Sequence, residues 1–136
     1  MATDDISGEW HGTYRYPNGT GPDTPFLAVI EERAGHLSGS IIEPHVYRPA
    51  ETARAAIVGH RSGAQIDFTK TYHGTGREYA TPVDYVGQLS GDGSRIAGAW
   101  SLLQWDGSFE MFRDVVSDVD TELEEEVEEV VPARSR

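Results

Sequence analysis

Apolar and polar residues alternate with a period of two along most of this chain. Such a period is typical of β-strands that bury one face and expose the other. In the first run, Trp10, Gly12, Tyr14 and Tyr16 share one face. Segments rich in Gly, Asp, Asn and Pro separate the runs, as turns do. The pattern predicts eight strands, over residues 8–16, 26–32, 36–43, 53–59, 65–72, 83–89, 95–103 and 108–114.

Short connections between these runs predict a single up-and-down antiparallel meander. The clearest turn signals are Ala34-Gly35, Gly91-Asp92-Gly93-Ser94 and Asp106-Gly107. An open sheet would expose two edge strands, so we expect the first and last strands to pair and close a barrel. Inward glycines within strands, which let a sheet bend, support closure. They are Gly12, Gly39, Gly87 and Gly98. The predicted fold class is therefore all-β, an eight-stranded antiparallel up-and-down meander β-barrel.

The 136 residues are enough for one domain with a short appendage. We expect an N-terminal tail over 1–6, a barrel over 7–114 and an acidic C-terminal tail over 115–136. Eight acidic side chains and no basic one lie within 118–131, and with two arginines near its end the tail carries −6 of the chain's net charge of −12. Its apolar residues recur at helical spacing, so a disordered tail and a short amphipathic helix are alternatives.

Charge and composition exclude several classes of function. The negative balance opposes nucleic-acid binding, which needs a basic surface. No run of about twenty apolar residues exists, so no membrane-spanning segment is predicted, and the acidic N-terminus lacks the apolar core of a secretory signal. The chain has no cysteine, which excludes disulfides and thiolate chemistry. We therefore expect a cytoplasmic protein with no membrane contact.

Two residues at the ends of the predicted barrel resemble a pair found in calycins, the superfamily of lipocalins, intracellular fatty-acid-binding proteins and avidins. Trp10 resembles the first-strand tryptophan that closes one end of such barrels, and Arg113 resembles the last-strand basic residue that packs across it. Three further segments resemble avidin strands: Leu37-Ser38-Gly39-Ser40, Tyr85-Val86-Gly87-Gln88 and Trp100-Ser101-Leu102-Leu103. The resemblance covers roughly residues 7–114 and implies a barrel whose lumen holds a small molecule.

The resemblance does not extend to biotin. Gly12 and Tyr16 occupy first-strand positions where avidins present an asparagine and a serine to the vitamin. Ile41 and Glu43 stand where the third avidin strand supplies a tyrosine and a serine. Because these polar groups define biotin recognition, we expect a different ligand.

Glu43 and Lys70 are the sharpest candidates for site chemistry. Alternation places Glu43 on the inner face, where a carboxylate is costly unless it is paired or solvated. Lys70 is the only lysine in the chain, and it lies between Phe68 and Tyr72 on an inward face, where it could hold an anionic head group. The alternatives are that Glu43 lies at a solvated rim, and that Lys70 lies at the barrel mouth or points outward through a one-residue shift in register.

Aromatic residues on the same inward faces would line the lumen with wide apolar surfaces, and the tyrosines add hydroxyl groups. With the two charged residues they make up the predicted ligand-binding set: Tyr14, Tyr16, Glu43, Lys70, Tyr72, Tyr85 and Trp100. The alternative is that they fill a barrel too narrow to hold anything. Trp10 and Arg113 are assigned a structural role, as a cation–π pair at one end.

No catalytic, metal or cofactor site is predicted. The five histidines lack the spacing of metal ligands. Haem ligation by His45 or His73 is a minor alternative, because a related class of barrels binds haem through one histidine. The sequence contains no nucleophile elbow and no phosphate-binding loop.

These observations favour a non-catalytic binding protein for a small amphipathic or hydrophobic ligand. One alternative is a solidly packed barrel whose acidic tail engages a basic protein partner. Another is an enzyme that uses Glu43 and Lys70 as an acid–base pair. A homo-oligomer formed through the outer faces of the barrel is compatible with each of the three.

Overall fold

Eight antiparallel strands form the fold in the computed structural model, which describes residues 5–44, 50–73 and 81–113. The strands are β1 (Gly8–Arg15), β2 (Thr24–Arg33), β3 (His36–Pro44), β4 (Thr52–Ser62), β5 (Gln65–Tyr72), β6 (Val83–Leu89), β7 (Arg95–Leu102) and β8 (Trp105–Phe112). They follow one another in sequence order around a closed barrel. The predicted all-β up-and-down barrel is confirmed. The predicted acidic tail over 115–136 lies outside the described residues.

Closure occurs where β1 meets β8. Residues 11–15 of β1 pair in antiparallel register with residues 108–112 of β8, so the first and last strands have no free edge along this seam. Gly12 allows the seam to close tightly, because a Cβ at this position would collide with the Phe26 ring and come within 2.8 Å of the Glu110 carbonyl oxygen. Within the described ranges, no helix is long and apolar enough to cross a membrane.

The inner face of the barrel is the one that period-two alternation predicts. In β6, for example, the four residues at 83, 85, 87 and 89 are buried, while the three that alternate with them are exposed. The same alternation in the other strands gives one continuous core. Its completely buried members include Ile6, Trp10, Ile66, Ile96 and Met111. Ile6 lies in the segment that the sequence analysis leaves in the N-terminal tail.

The two ends of the barrel differ in the length of their connections. At one end, which we call the loop end, β1, β3, β5 and β7 lead into connections over 16–23, 45–51, 73–82 and 103–104. At the opposite end, which we call the tryptophan end, the connections cover 34–35, 63–64 and 90–94, and all three are shorter than every loop-end connection except 103–104. Longer connections carry function more often than tight hairpins do. The asymmetry therefore directs attention to the loop end.

The tryptophan end is closed by the predicted pair of Trp10 and Arg113. The Arg113 guanidinium carbon lies 4.7 Å from the centroid of the Trp10 ring. Arg113 also donates hydrogen bonds to the carbonyl oxygens of Asp5 (2.8 Å) and Gly93 (2.9 Å), while the Trp10 indole donates to the carbonyl oxygen of Ile6 (2.9 Å). The N-terminal segment is thereby fixed across the barrel end, with Ile6 in the core.

The predicted turn at Asp106-Gly107 is wrong. The chain reverses three residues earlier, at Leu103 and Gln104, where Leu102 pairs with Trp105. Leu103 adopts a φ of 58°, which is unfavourable for leucine. A leucine at this position is therefore not a sequence signal for a turn. Gly107 is instead a strand residue opposite Trp100. A Cβ there would overlap the carbonyl oxygen of Arg15 and lie 2.6 Å from the Trp100 ring, so glycine serves close packing.

Gly107→Ala is expected to destabilise the barrel by about 3 kcal/mol, because the added methyl group must displace either the Trp100 ring or the β1 backbone. Gly91→Ala is the matched control, since a Cβ at Gly91 meets nothing within 4 Å. We expect the control to change the free energy of unfolding by less than about 0.5 kcal/mol. Urea unfolding measures both, and equal stability of the two variants would contradict the packing role of Gly107.

Candidate functional site

Four polar side chains converge inside the barrel near its loop end. Glu43 is the second-last residue of β3, Lys70 and Tyr72 lie at the end of β5, and Tyr14 is the second-last residue of β1. Each strand presents its residue inward because the alternation that buries the apolar core continues to this depth. Three of the four are buried, with Glu43 3% exposed, Lys70 1% and Tyr14 5%. The predicted inward positions of Glu43 and Lys70 are thus observed.

Glu43 accepts three hydrogen bonds from this cluster. Its Oε1 lies 3.0 Å from Lys70 Nζ. Its Oε2 accepts from the hydroxyl groups of Tyr14 at 2.9 Å and Tyr72 at 2.5 Å. A buried carboxylate is tolerated only when its oxygens are paired and hydrogen-bonded, and Glu43 meets both conditions. The three donors come from β1 and β5, so the carboxylate ties two distant parts of the barrel wall together.

Lys70 lies in a cage of aromatic rings. Its Nζ is 4.7 Å from the centroid of the Tyr14 ring, 4.6 Å from that of Tyr72 and 5.2 Å from that of Tyr85. Burial lowers the pKa of this amine from its ordinary 10.5, although the Glu43 carboxylate opposes the shift. Because the ammonium has three N–H groups and one hydrogen bond to Glu43, its other donors face the tyrosine rings.

The three tyrosines of the cage are held in their neutral form. Burial, reinforced by the charge of Glu43, raises the pKa of Tyr14, Tyr72 and Tyr85 well above the ordinary value of 10.0. Their hydroxyl groups therefore remain O–H donors at neutral pH. The contribution of these raised pKa values to stability is fully present below pH 10 and is lost as the pH rises beyond it, because the unfolded chain then ionises its phenols first.

The other predicted site residues form an aromatic wall beside this cluster. Tyr16 and Trp100 pack edge to face with ring centroids 5.4 Å apart, and Tyr14 lies 6.3 Å from Trp100 in a similar geometry. The Trp100 indole donates a hydrogen bond of 3.0 Å to the carbonyl oxygen of Arg15. On the opposite side of the cage, Tyr85 stacks on Phe68 at 4.8 Å. Six of the seven predicted ligand-binding residues thus lie on strands toward the loop end, and Tyr16 follows the end of β1 and packs against the core.

Two further residues at this end were missed by the sequence analysis. Thr24, the first residue of β2, is 5% exposed and pairs in register with Tyr14, but it lies before the point at which the pattern predicts the strand. Trp105 begins β8 and has the inward parity of Phe109 and Met111, yet it is 55% exposed at the barrel rim. The misplaced turn at Asp106 hid its position in the strand. The one available signal was that Trp105, Phe109 and Met111 are spaced by even numbers of residues, which places them on the same face if the strand continues through Gly107.

The described part of the chain contains no group of three or more His, Asp or Glu side chains that could hold a metal ion. His36 and His60, on neighbouring strands, have ring centroids 5.1 Å apart on the outside of the barrel. His45 lies outside the described residues, so one of the two histidines considered for haem has no structural account here. His73 is exposed.

A shallow depression of about 520 Å³ lies at the other end of the molecule. Its lining residues are Ser7, Gly8, Glu9, His11, Phe112 and Arg113. Arg113 is already engaged there by backbone carbonyl groups and by Trp10. Because the buried polar side chains lie at the loop end, the depression contributes nothing to the site described above.

Comparison with known proteins supports the fold and adds no function. No family model matches the chain, and no curated protein matches it. Among solved structures, a redesigned β-barrel aligns with a TM-score of 0.68 and 12% sequence identity over 84% of this chain and 96% of that chain. Likeness at this level of identity shows the barrel architecture alone.

Substitutions at Glu43 and Lys70 test whether each buried charge depends on the other for stability. Lys70→Met removes the partner of a buried carboxylate, so we expect a loss of about 3–5 kcal/mol in the free energy of unfolding. The double variant Glu43→Gln with Lys70→Met removes both charges and keeps a side-chain oxygen for the two tyrosines. It should recover most of this loss. Urea unfolding at neutral pH checks the prediction, and a double variant as unstable as the single one would contradict it.

Proposed function

We propose that this protein is a calycin-like, non-catalytic binding barrel that holds a small amphipathic molecule in its lumen. The observation that carries the proposal is the hydrogen-bonded cluster at the loop end, in which Glu43, Lys70 and Tyr14 are buried and Tyr72 is partly buried. A barrel that needed only stability would gain from apolar side chains at these positions, since buried ion pairs are often replaceable by hydrophobic residues at no cost in stability. Buried charges with perturbed pKa values are more frequent at functional sites.

The chemistry of the wall indicates which kind of ligand fits. Tyr16, Trp100 and Tyr85 offer apolar ring surfaces for the body of the molecule. Lys70 offers N–H groups that Glu43 does not use, so the head group should accept hydrogen bonds, as a carboxylate or a carbonyl does. An amphipathic molecule with an acceptor at one end therefore fits better than a plain hydrocarbon.

The solidly packed barrel is the main rival to this proposal. It assigns the same aromatic residues to filling the lumen and the charged pair to holding strands together. The acidic tail that would recruit a protein partner in that account lies outside the described residues. An enzyme that uses Glu43 and Lys70 as an acid–base pair meets its distance requirement, since the pair is 3.0 Å apart. Binding measurements distinguish the rival from the proposal.

Medium-chain and aryl compounds that carry a carboxylate or a carbonyl should bind at least about tenfold more tightly than the hydrocarbon of the same skeleton, because one charge-assisted hydrogen bond contributes about 1.5–3 kcal/mol. A ligand present at 100 times its Kd should add about 2.7 kcal/mol of stability. Calorimetry and thermal unfolding measure both quantities, and native mass spectrometry of the gently purified protein should detect a retained ligand.

Two variants serve as controls for this binding experiment. Tyr16→Leu, on the aromatic wall, should weaken binding severalfold, whereas Phe112→Leu on the outer face, where Phe112 is 45% exposed, should not. The double variant at Glu43 and Lys70 should lose the preference for compounds with an acceptor group. If no compound binds and no ligand is retained, the binding proposal is wrong and the packed barrel is favoured.

A further inference from the structure

Lys70 differs from an ordinary lysine in three respects. It is the only lysine in the chain, so apart from the N-terminal amine it is the only primary amine. It is 1% exposed, enclosed by the rings of Tyr14, Tyr72 and Tyr85. Among the described residues, its Nζ makes one hydrogen bond, to Glu43. An amine removed from water and placed beside a single proton acceptor is the arrangement that makes lysine a nucleophile.

We propose that Lys70 Nζ captures an aldehyde or ketone ligand as a Schiff base inside the barrel. This inference rests on the proposed function, since the carbonyl compound must first enter the lumen. It narrows the ligand class from any molecule with an acceptor head group to one with a reactive carbonyl carbon. Because Lys70 is already paired with Glu43, a second carboxylate beside it would be repelled by the Glu43 charge, whereas a neutral carbonyl group is not.

The residues around Lys70 can balance each proton of the reaction. Transfer of one proton across the 3.0 Å hydrogen bond gives a neutral amine and a protonated Glu43. The amine lone pair forms the C–N bond as the carbonyl π bond breaks, and a proton lost by the attacking nitrogen passes to the carbonyl oxygen. The resulting carbinolamine loses its hydroxyl group as water when Glu43 gives its proton to that group. The sum is one ammonium and one carbonyl compound giving one iminium and one water. Glu43 ends as the carboxylate counter-ion of the iminium.

The surroundings favour keeping such an adduct. The tyrosine rings shield Lys70 from bulk water, which slows hydrolysis of the imine. Tyr14 and Tyr72 donate hydrogen bonds to Glu43 Oε2, which stabilises the carboxylate as the counter-ion of the iminium. We expect the ligand to enter from the loop end, because the partly buried hydrophobic residues that pack on the core lie at or just after strand ends there: Tyr16, Tyr72 and Leu102. Lys70 lies two residues before the end of β5 at Tyr72.

Reductive trapping tests the proposal directly. The full chain is incubated at pH 7 with 2-naphthaldehyde and cyanoborohydride, which reduces an imine to a stable amine, and the products are mapped by peptide mass spectrometry. We expect one adduct per chain at Lys70, formed at least about tenfold faster than at the same residue in the urea-unfolded chain, where the lysine is protonated. Modification that is no faster in the folded chain, or that is confined to the N-terminal amine, would overturn the proposal.

A parallel measurement distinguishes this failure from failure of the proposed function. Binding of 2-naphthamide, which has the same ring and a neutral carbonyl oxygen but forms no imine with an amine, is measured by calorimetry on the same preparation. If the amide binds and Lys70 is not trapped, the Schiff base is wrong and the binding barrel stands; if neither occurs, both proposals fail. The double variant Glu43→Gln with Lys70→Met controls for labelling elsewhere, and it should yield an adduct only at the N-terminal amine.

Discussion

The hydrogen-bonded ion pair between Glu43 and Lys70 is the constraint around which the loop end of this barrel is organised. Transfer of either charge from water to the interior alone costs several kcal/mol, so each residue depends on the other. The 3.0 Å contact and the two phenol donors to Glu43 offset that cost. The tyrosine rings then occupy the space around the ammonium. Removal of any one member leaves a buried polar group without its partner, which is why the cluster acts as a unit.

The opposite end of the barrel supplies stability that offsets the cost of burying this polar cluster. Trp10, Arg113 and the segment that includes Ile6 close the tryptophan end with apolar packing and hydrogen bonds to backbone carbonyl groups. The β1–β8 seam removes free sheet edges. Stability therefore comes mainly from the closed sheet and from this end. The loop end can carry a costly polar cluster, as is common where a rigid scaffold supports a binding site.

Period-two alternation predicts the inner wall well, because a closed sheet buries one face of each strand and a shift of one residue would reverse all its side chains. Alternation favours inward positions for Glu43 and Lys70, and the structure decides against the rim and outward alternatives because both side chains are buried. The β7–β8 turn could not be predicted, because Leu103 adopts a positive φ that its residue type disfavours, while the Asp106-Gly107 signal reflects packing against Trp100. Burial of Ile6 and Thr24 depends on contacts distant in sequence. The hydrogen bonds to Glu43 could not be predicted from the sequence, because their donors come from β1 and β5 and meet β3 only in the folded barrel.

Because Lys70 is the only lysine, NMR of the chain labelled with ¹³C- and ¹⁵N-lysine gives the signals of this one side chain. These signals test directly whether Lys70 is buried among the tyrosine rings and paired with Glu43. The structure requires the Cε protons to be shifted upfield by the rings of Tyr14, Tyr72 and Tyr85, and the amine to titrate below its ordinary pKa of 10.5. Glu43→Gln should move both signals. Random-coil shifts with titration at 10.5 would show a solvated lysine and contradict the account.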